Sequence, residues 1–249
     1  MGFRVFGRNR QFGVLLGLLS SSGYAAYITS LAPILWLRYR ETSGGTAVNS
    51  GTGGSTLDAT INAATLGQTD VMGANEAFLF NGTTDAMTIT NHALLSGLTV
   101  WTTAVLVNVA GLGGGNAGRF FTHSGRVFYT NSLRNVVLEV LASTTTGVAT
   151  SSNVITLSQP YWLFSTYDNA GDRKPRLYIG RAGAVNETAY TSQVAAAGTL
   201  SAPGGNYILG NNASTGGIRG MSGLYGEHQS YNRLLTAAEM LRIVQLTGV

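Results

Sequence analysis

Between residues 34 and 230 the chain is a succession of short runs rich in Val, Ile, Thr, Phe, Tyr and Trp, each closed by a cluster of Gly, Ser, Thr or Asn. This pattern constrains the fold more than any other feature. Such runs are strands, their spacing is that of antiparallel sandwiches and barrels, and nothing in the interval has a convincing helical period. The runs are "ILWLRYRE" (34–41), "AFLFNGTTDAMTIT" (77–90), "LTVWTTAVLVNVA" (98–110), "GRFFTHS" and "RVFYTN" (118–131, a hairpin through Gly125), "VVLEVLAS" (136–143), "YWLFSTYDNAGDRKPRLYIGRAG" (161–183, turning at 168–174), "NYILGNN" (206–212) and "GIRGMSGLYGEHQSYN" (217–232). Asn81 and Gly82 are expected to supply the left-handed conformations of a turn. The polar stretch 42–64 has no apolar stripe and reads as a surface loop of the same domain.

The chain ends on a different note. Thr236 is followed three residues later by Glu239, the spacing of a capping box, in which each side chain satisfies a backbone N–H of the first helical turn. Leu241, Val244 and Gln245 follow at helical spacing, flanked by Met240 and Ile243, and Gly248 can end the helix in a left-handed conformation. A short amphipathic helix packed on the outside of a β domain is expected.

Composition narrows the class. Hydrophobic residues make up 44% of the chain, ample for a core, but charged residues only 10%, against about a quarter in ordinary globular domains. Such a chain keeps soluble through Thr, Ser, Asn and Gly, as extracellular β proteins and subunits of assemblies do. The net charge is +4, and Arg4, Arg8 and Arg10 lie in the first ten residues. The remainder is near neutral, so no nucleic-acid surface is implied. Absence of Cys excludes disulfides and thiolate metal sites.

Residues 1–33 have a basic start, an apolar run at Phe12–Leu19 and then small residues. This is the outline of a secretory signal with a cut after Ala25, and the run is too short to span a bilayer. The alternative is a retained arm in which Arg4, Arg8, Arg10, Phe12, Leu15, Leu16 and Leu19 dock onto the chain's own sandwich or, as we expect, onto a neighbouring subunit. The organisation is then an arm, 1–33, and one β domain, 34–249.

Region 34–249 resembles the laminin-G-like members of the concanavalin-A-like lectin/glucanase superfamily, of the type found in phage structural proteins. "LRYRETSGGTAVNSGTGG" (37–54) resembles the family's opening strand and Ser-Gly loop. "AFLFNGTTDAMTIT" resembles its Phe-x-Gly-x-x-Asp strand pair, and "LTVWTTAVLVN" (98–108) its Trp-containing strand. "YWLFSTYDNAGDRKPRLYIGRAG" is similar to its Tyr-Asp hairpin. Most specific is "SYNRLLTAAEMLRI" (230–243), similar to the ending Tyr-Asn-Arg-x-Leu-Ser/Thr-x-x-Glu. The resemblance implies an all-β, two-sheet antiparallel jelly-roll sandwich with a short C-terminal helix, preceded here by an extended or helical N-terminal arm.

Enzymatic relatives carry their acids on one strand as Glu-x-Asp-x-x-Glu, because glycoside hydrolysis needs two carboxylates flanking the bond. No such run occurs, and Asp168 and Asp172 sit across a turn. His92, His123 and His228 lack metal-ligand spacing, and "GLGGG" (111–115) lacks the Lys-Ser/Thr of a phosphate loop. The expectation is no enzyme. Calcium, the family's common ligand, would take oxygen donors. The candidates by position are Asn81, Asp85 and Glu227, but one expected acid of the last strand is replaced by Gly223 or Tyr225. Trp36, Trp101 and Trp162 lie inside strand patterns, where core packing is their expected role, whereas Tyr129, Tyr167 and Tyr190 are candidates for exposure.

From the resemblance we expect a non-enzymatic virion structural protein, a phage capsid decoration or tail-associated subunit docked by its arm. Its partners would be other virion proteins or further copies of itself, with a host-surface glycan on the outward domain and neither nucleic acid nor a membrane span. The alternative is a secreted or surface carbohydrate-binding module.

Overall fold

The computed structural model describes residues 23–69, 77–123, 125–201, 204–213 and 217–249. Arg4, Arg8, Arg10, Phe12, Leu15, Leu16 and Leu19, the expected docking side chains, lie outside these residues. Helix α1 runs over 23–31. It is followed by strands β1 (Leu35–Leu37), β2 (Thr46–Ala47), β3 (Ala59–Asn62), β4 (Thr65–Gln68), β5 (Ala77–Asn81) and β6 (Ala86–Ile89). A one-turn helix α2 (Ala93–Ser96) precedes β7 (Val100–Gly111), β8 (Arg119–His123), β9 (Arg126–Thr130), β10 (Asn135–Val140), β11 (Gly147–Val154) and β12 (Pro160–Asp168). Then come β13 (Arg176–Arg181), β14 (Ala184–Glu187), β15 (Tyr190–Val194), β16 (Tyr207–Leu209), β17 (Ser222–Tyr231) and the closing helix α3 (Ala237–Thr247).

Two antiparallel sheets result. One has the order β14-β13-β12-β7-β17-β5-β4, with β1 also paired to β17; the other is β15-β11-β10-β9-β8-β16-β6-β3-β2. This is the two-sheet sandwich with a short C-terminal helix expected from the sequence. The first sheet is buried on both faces, which is why β7 and β12 read as nearly unbroken apolar runs rather than alternating ones. Trp101, Val105 and Val107 of β7 and Tyr161, Leu163 and Tyr167 of β12 face the second sheet. Ala104, Leu106, Trp162 and Phe164 face outward, where Ile28 of α1 and Met240, Ile243 and Val244 of α3 cover them.

The stretch 23–31 therefore belongs to the body. Tyr24, Ile28 and Leu31 are buried against Trp36, Trp162 and the C-terminal helix. Of the two placements open for the arm, these nine residues take the chain's own sandwich.

The helix α3 is capped as its sequence requires. The Thr236 hydroxyl accepts from the Glu239 N–H at 3.2 Å, and Glu239 Oε2 accepts from the Thr236 N–H at 2.8 Å. Arg233 adds two bonds of 2.9 Å to the same carboxylate, which it holds below its ordinary pKa. Thr102 Oγ1 ties this corner to β7 by accepting from the Leu235 N–H and donating to the Arg233 carbonyl. The Arg-x-x-Thr-x-x-Glu ending is thus a lock that fixes where the helix begins. Gly248, at φ +70°, ends it. Its buried face is Met240, Ile243 and Val244, not the expected Leu241, Val244 and Gln245; Gln245 is exposed. Gly180 of β13 allows the helix to sit this close, since a Cβ there would come within 2.5 Å of the Val244 side chain. Thr236→Ala is expected to cost about 1 kcal/mol, the usual worth of such a cap, read as a lower midpoint in chemical denaturation.

Three further differences from the sequence reading have physical causes. Stretch 42–64 is not all loop: β2 and β3 extend the second sheet, and these short, partly exposed strands leave no alternating pattern to read. Strands β5 and β6 flank a turn but belong to different sheets, so the turn carries the chain across the sandwich. Gly82 takes φ +81° there, but Asn81 is not among the residues with positive φ. Asn81 shapes the turn through its side chain, whose Oδ1 accepts from the N–H groups of Thr83, Thr84 and Asp85.

Candidate functional site

The calcium candidates do not converge. Asn81 Oδ1 is taken up by backbone N–H groups, and Asp85 Oδ2 accepts from the Asn81 N–H at 2.9 Å. Glu227 lies elsewhere: Asn81 pairs with Ser222 at the start of β17, whereas Glu227 is five positions further along the strand. Its carboxylate points into the outer cluster, where Oε2 accepts from Tyr24 Oη, from Trp36 Nε1 at 2.9 Å and from Gln229 Nε2 at 2.9 Å. Burial pushes its pKa up. The three residues do not fit one calcium coordination set, and among the described residues no group of three His, Asp or Glu is arranged for a metal. The isolated histidines are structural too. His228 is fully buried between the Tyr207 and Tyr225 hydroxyls at 3.0 and 2.9 Å, and burial pushes its pKa down to about 3.

The feature with binding geometry is a cleft of about 480 Å³ at one end of the sandwich. Five chain segments meet there: the turn from α2 into β7 (96–99), the β8–β9 hairpin, the end of β10, the β12–β13 turn at Asn169, and the crossing at 198–201. Four of these are loop ends of strands with buried middles, and the crossing at 198–201 is tied to the end of β10 by an isolated bridge between Ala142 and Leu200, so the lining is held largely by the sandwich. Backbone bonds knit the rim. The Asn169 N–H donates to the Thr99 carbonyl, Leu141 N–H to Gly125, and Ser201 N–H to Leu141.

The floor is formed by Trp101 and Arg126. Trp101 is 1% exposed and stacks on Tyr167 with centroids 4.6 Å apart. Among the described residues its Nε1–H has no hydrogen-bond partner. The Arg126 guanidinium lies over the indole, 4.5 Å from the ring centroid, an arrangement favoured by the ring's negative face. Arg126 Nη2 donates to the Leu95 carbonyl at 2.6 Å and approaches His123 Nδ1 at 3.3 Å. Both partners are neutral, since burial and the Arg126 charge push the His123 pKa down to about 3. Burial likewise pulls the Arg126 pKa to about 10. The walls are Thr99, Asn169, Thr199 and Ser201 with Leu98 and Leu200.

None of these contacts was visible as a motif. Trp101 was expected in the core, and it is; what the sequence does not reveal is that its edge closes a cleft. Tyr167, expected as a candidate for exposure, is 1% exposed because it stacks under Trp101. Tyr129 and Tyr190 are half-buried. Trp36 and Trp162 pack in the outer cluster.

Comparison with known proteins defines the class and goes no further. No family model matches the chain, and no curated protein does. Similar solved structures include Trypanosoma rangeli sialidase in complex with 2,3-difluorosialic acid, with a TM-score of 0.61 at 14% identity, covering 92% of this chain and 38% of that one. The same sialidase in complex with sialic acid gives 0.58 at 14%, covering 95% and 39%. The binding domain of botulinum neurotoxin serotype D gives 0.59 at 10%, covering 86% and 52%. The chain thus spans about two fifths of the sialidase and half of the toxin domain. The fold these structures share with the chain is a two-sheet β-sandwich, and among the described residues no helix is long and apolar enough to cross a membrane.

Proposed function

We propose that the chain is a non-catalytic carbohydrate-binding module, secreted or surface-borne, that takes a glycan in the end cleft. The observation that carries this is the lining: hydroxyl and amide side chains, two leucines, an indole and one guanidinium around about 480 Å³. A cavity of that size with a few convergent polar groups on apolar walls suits a small ligand. Sugars need this mixture, with donors and acceptors for their hydroxyls and apolar surface for their C–H faces. Among the described residues the lining includes no Asp or Glu, whereas glycoside hydrolysis of the usual kind requires two carboxylates. The likeness to the sialidase and the toxin domain concerns the fold, so the cleft bears the argument alone. The virion role expected from the sequence depends on arm residues outside the described structure and gains no support from the comparisons.

The test is a glycan array probed with the full chain, then with Thr199→Trp. Thr199 is an exposed rim residue, so an indole there obstructs the cleft without touching the core. Array binding that falls at least about tenfold in this variant, at unchanged melting temperature, is the expected result. Undiminished binding in Thr199→Trp moves the site elsewhere, and no binding by either chain ends the proposal.

A further inference from the structure

Among the described residues Arg126 is a cation with no anion. It is 4% exposed, and both of its hydrogen bonds leave from Nη2 and end on neutral acceptors. Its Nε and Nη1 have no hydrogen-bond partner among the described residues, and no carboxylate pairs with it. A buried charge is ordinarily paired, because leaving water costs several kcal/mol that only a counter-charge and satisfied donors offset. Beyond the two bonds of Nη2, the Trp101 face offers compensation that is weak beside an ion pair. The same wall carries a second unmatched donor, the Trp101 Nε1–H. Guanidinium nitrogens and an indole N–H without an acceptor among the described residues, on two side chains that line an open cleft, mark a place where an acceptor can come from outside.

We infer that the cleft selects an acidic glycan, one carrying a carboxylate, and that Arg126 receives this carboxylate. The inference rests on the glycan-binding proposal and makes it specific. The chemistry favours a monoanion. Arg126 is the one cationic side chain in the lining, which balances a carboxylate but leaves a phosphate monoester with surplus charge. The guanidinium fork offers parallel N–H donors that match the two oxygens of a carboxylate. Hydroxyls of the sugar ring then fall to Thr99, Asn169, Thr199 and Ser201 on the walls.

Acidic glycans and their neutral parents, sialylated and desialylated, uronic acid and hexose, are compared in binding to the full chain and to Arg126→Gln. A charge-assisted pair contributes enough for roughly a 10- to 100-fold preference, so the full chain is expected to favour the acidic member of at least one pair by that factor. Arg126→Gln is expected to abolish the preference for the acidic member. Ser201→Asp, with Arg126 intact, covers the case in which the first variant folds poorly. It places an internal carboxylate on the cleft wall and is expected to suppress acidic-glycan binding without lowering the melting temperature. Equal binding of acidic and neutral partners overturns the inference and leaves the glycan-binding proposal standing. So does a preference that survives both substitutions. Absence of binding to either member of every pair overturns both.

Discussion

Glu227→Leu is expected to destabilise the folded chain by about 3 kcal/mol, and Glu227→Gln by far less. The carboxylate is buried between β17 and α1, and a single oxygen, Oε2, takes bonds from Tyr24, Trp36 and Gln229. Leucine removes that acceptor. Gln229 Nε2 keeps a second partner in Tyr24 Oη at 2.8 Å, but the Tyr24 hydroxyl and the Trp36 Nε1–H are stranded, at about 1–3 kcal/mol each. Relief of the buried charge offsets part of this. Glutamine preserves the acceptor, because its amide oxygen can occupy the Oε2 position; its NH2 at the Oε1 position, without a partner among the described residues, is then the one group left unmatched, against two donors in the Leu variant. The pH dependence separates the two further. Burial raises the Glu227 pKa above its unfolded value of about 4.3, so between the two values the native chain holds a proton that the unfolded chain has lost. The stability contributed by this group is complete below the unfolded value and falls as pH rises through the folded one. Denaturation midpoints measured from pH 4 to 8 should show this decline in the unaltered chain and its loss in Glu227→Gln. A Leu variant as stable as the Gln variant would mean that the donors find other acceptors.

How much of this was legible in the sequence depended on whether a residue's role is local. The closing helix was, because Thr236, Glu239 and Gly248 act on backbone groups within a few positions of themselves. Long strands such as β7 and β12 were, because a strand buried on both faces needs an unbroken run of β-branched and aromatic residues. The strands β2, β3, β11, β14 and β15, at or next to a sheet edge, were not: with one neighbour or a half-exposed face they keep Ser, Asn and Thr and look like loop. The cleft was beyond reach for a different reason. Trp101 and Arg126 are 25 positions apart on different sheets, Asn169 and Thr199 come from two further connections, and no spacing rule links segments that only closure of the sandwich brings together. The one hint available was negative. Arg126 lies in a run, "GRVFYTN", whose alternation points it at the core, where an arginine without an acid partner is out of place.

The role of 23–31 is the other large effect, and it decides between two readings of the N-terminus. A chain beginning at Gly23 retains every described contact and serves as the reference. A chain beginning at Ala26, the product of the expected signal cut, lacks Tyr24. It therefore loses the aromatic contacts to Trp36 and Trp162, each with centroids 6.5 Å apart, together with one donor to Glu227. A chain beginning at Ile34 also lacks Ile28 and Leu31. Burial of three side chains of this size contributes roughly 1.5–3 kcal/mol apiece, so the Ile34 chain is expected to lose about 5 kcal/mol or more, with the Ala26 chain in between. Domain stabilities are themselves only about 5–15 kcal/mol, and the Ile34 chain also uncovers Trp36 and Trp162 on the outer face of the first sheet. It should unfold far below the Gly23 chain, or aggregate, in thermal melts followed by tryptophan fluorescence. Melting of all three within a degree or two of one another would restore a domain boundary at residue 33 and make α1 a dispensable arm. A graded loss would instead make 23–31 part of the sandwich's own core, and a cut after Ala25 would then be made inside a folded element rather than ahead of one.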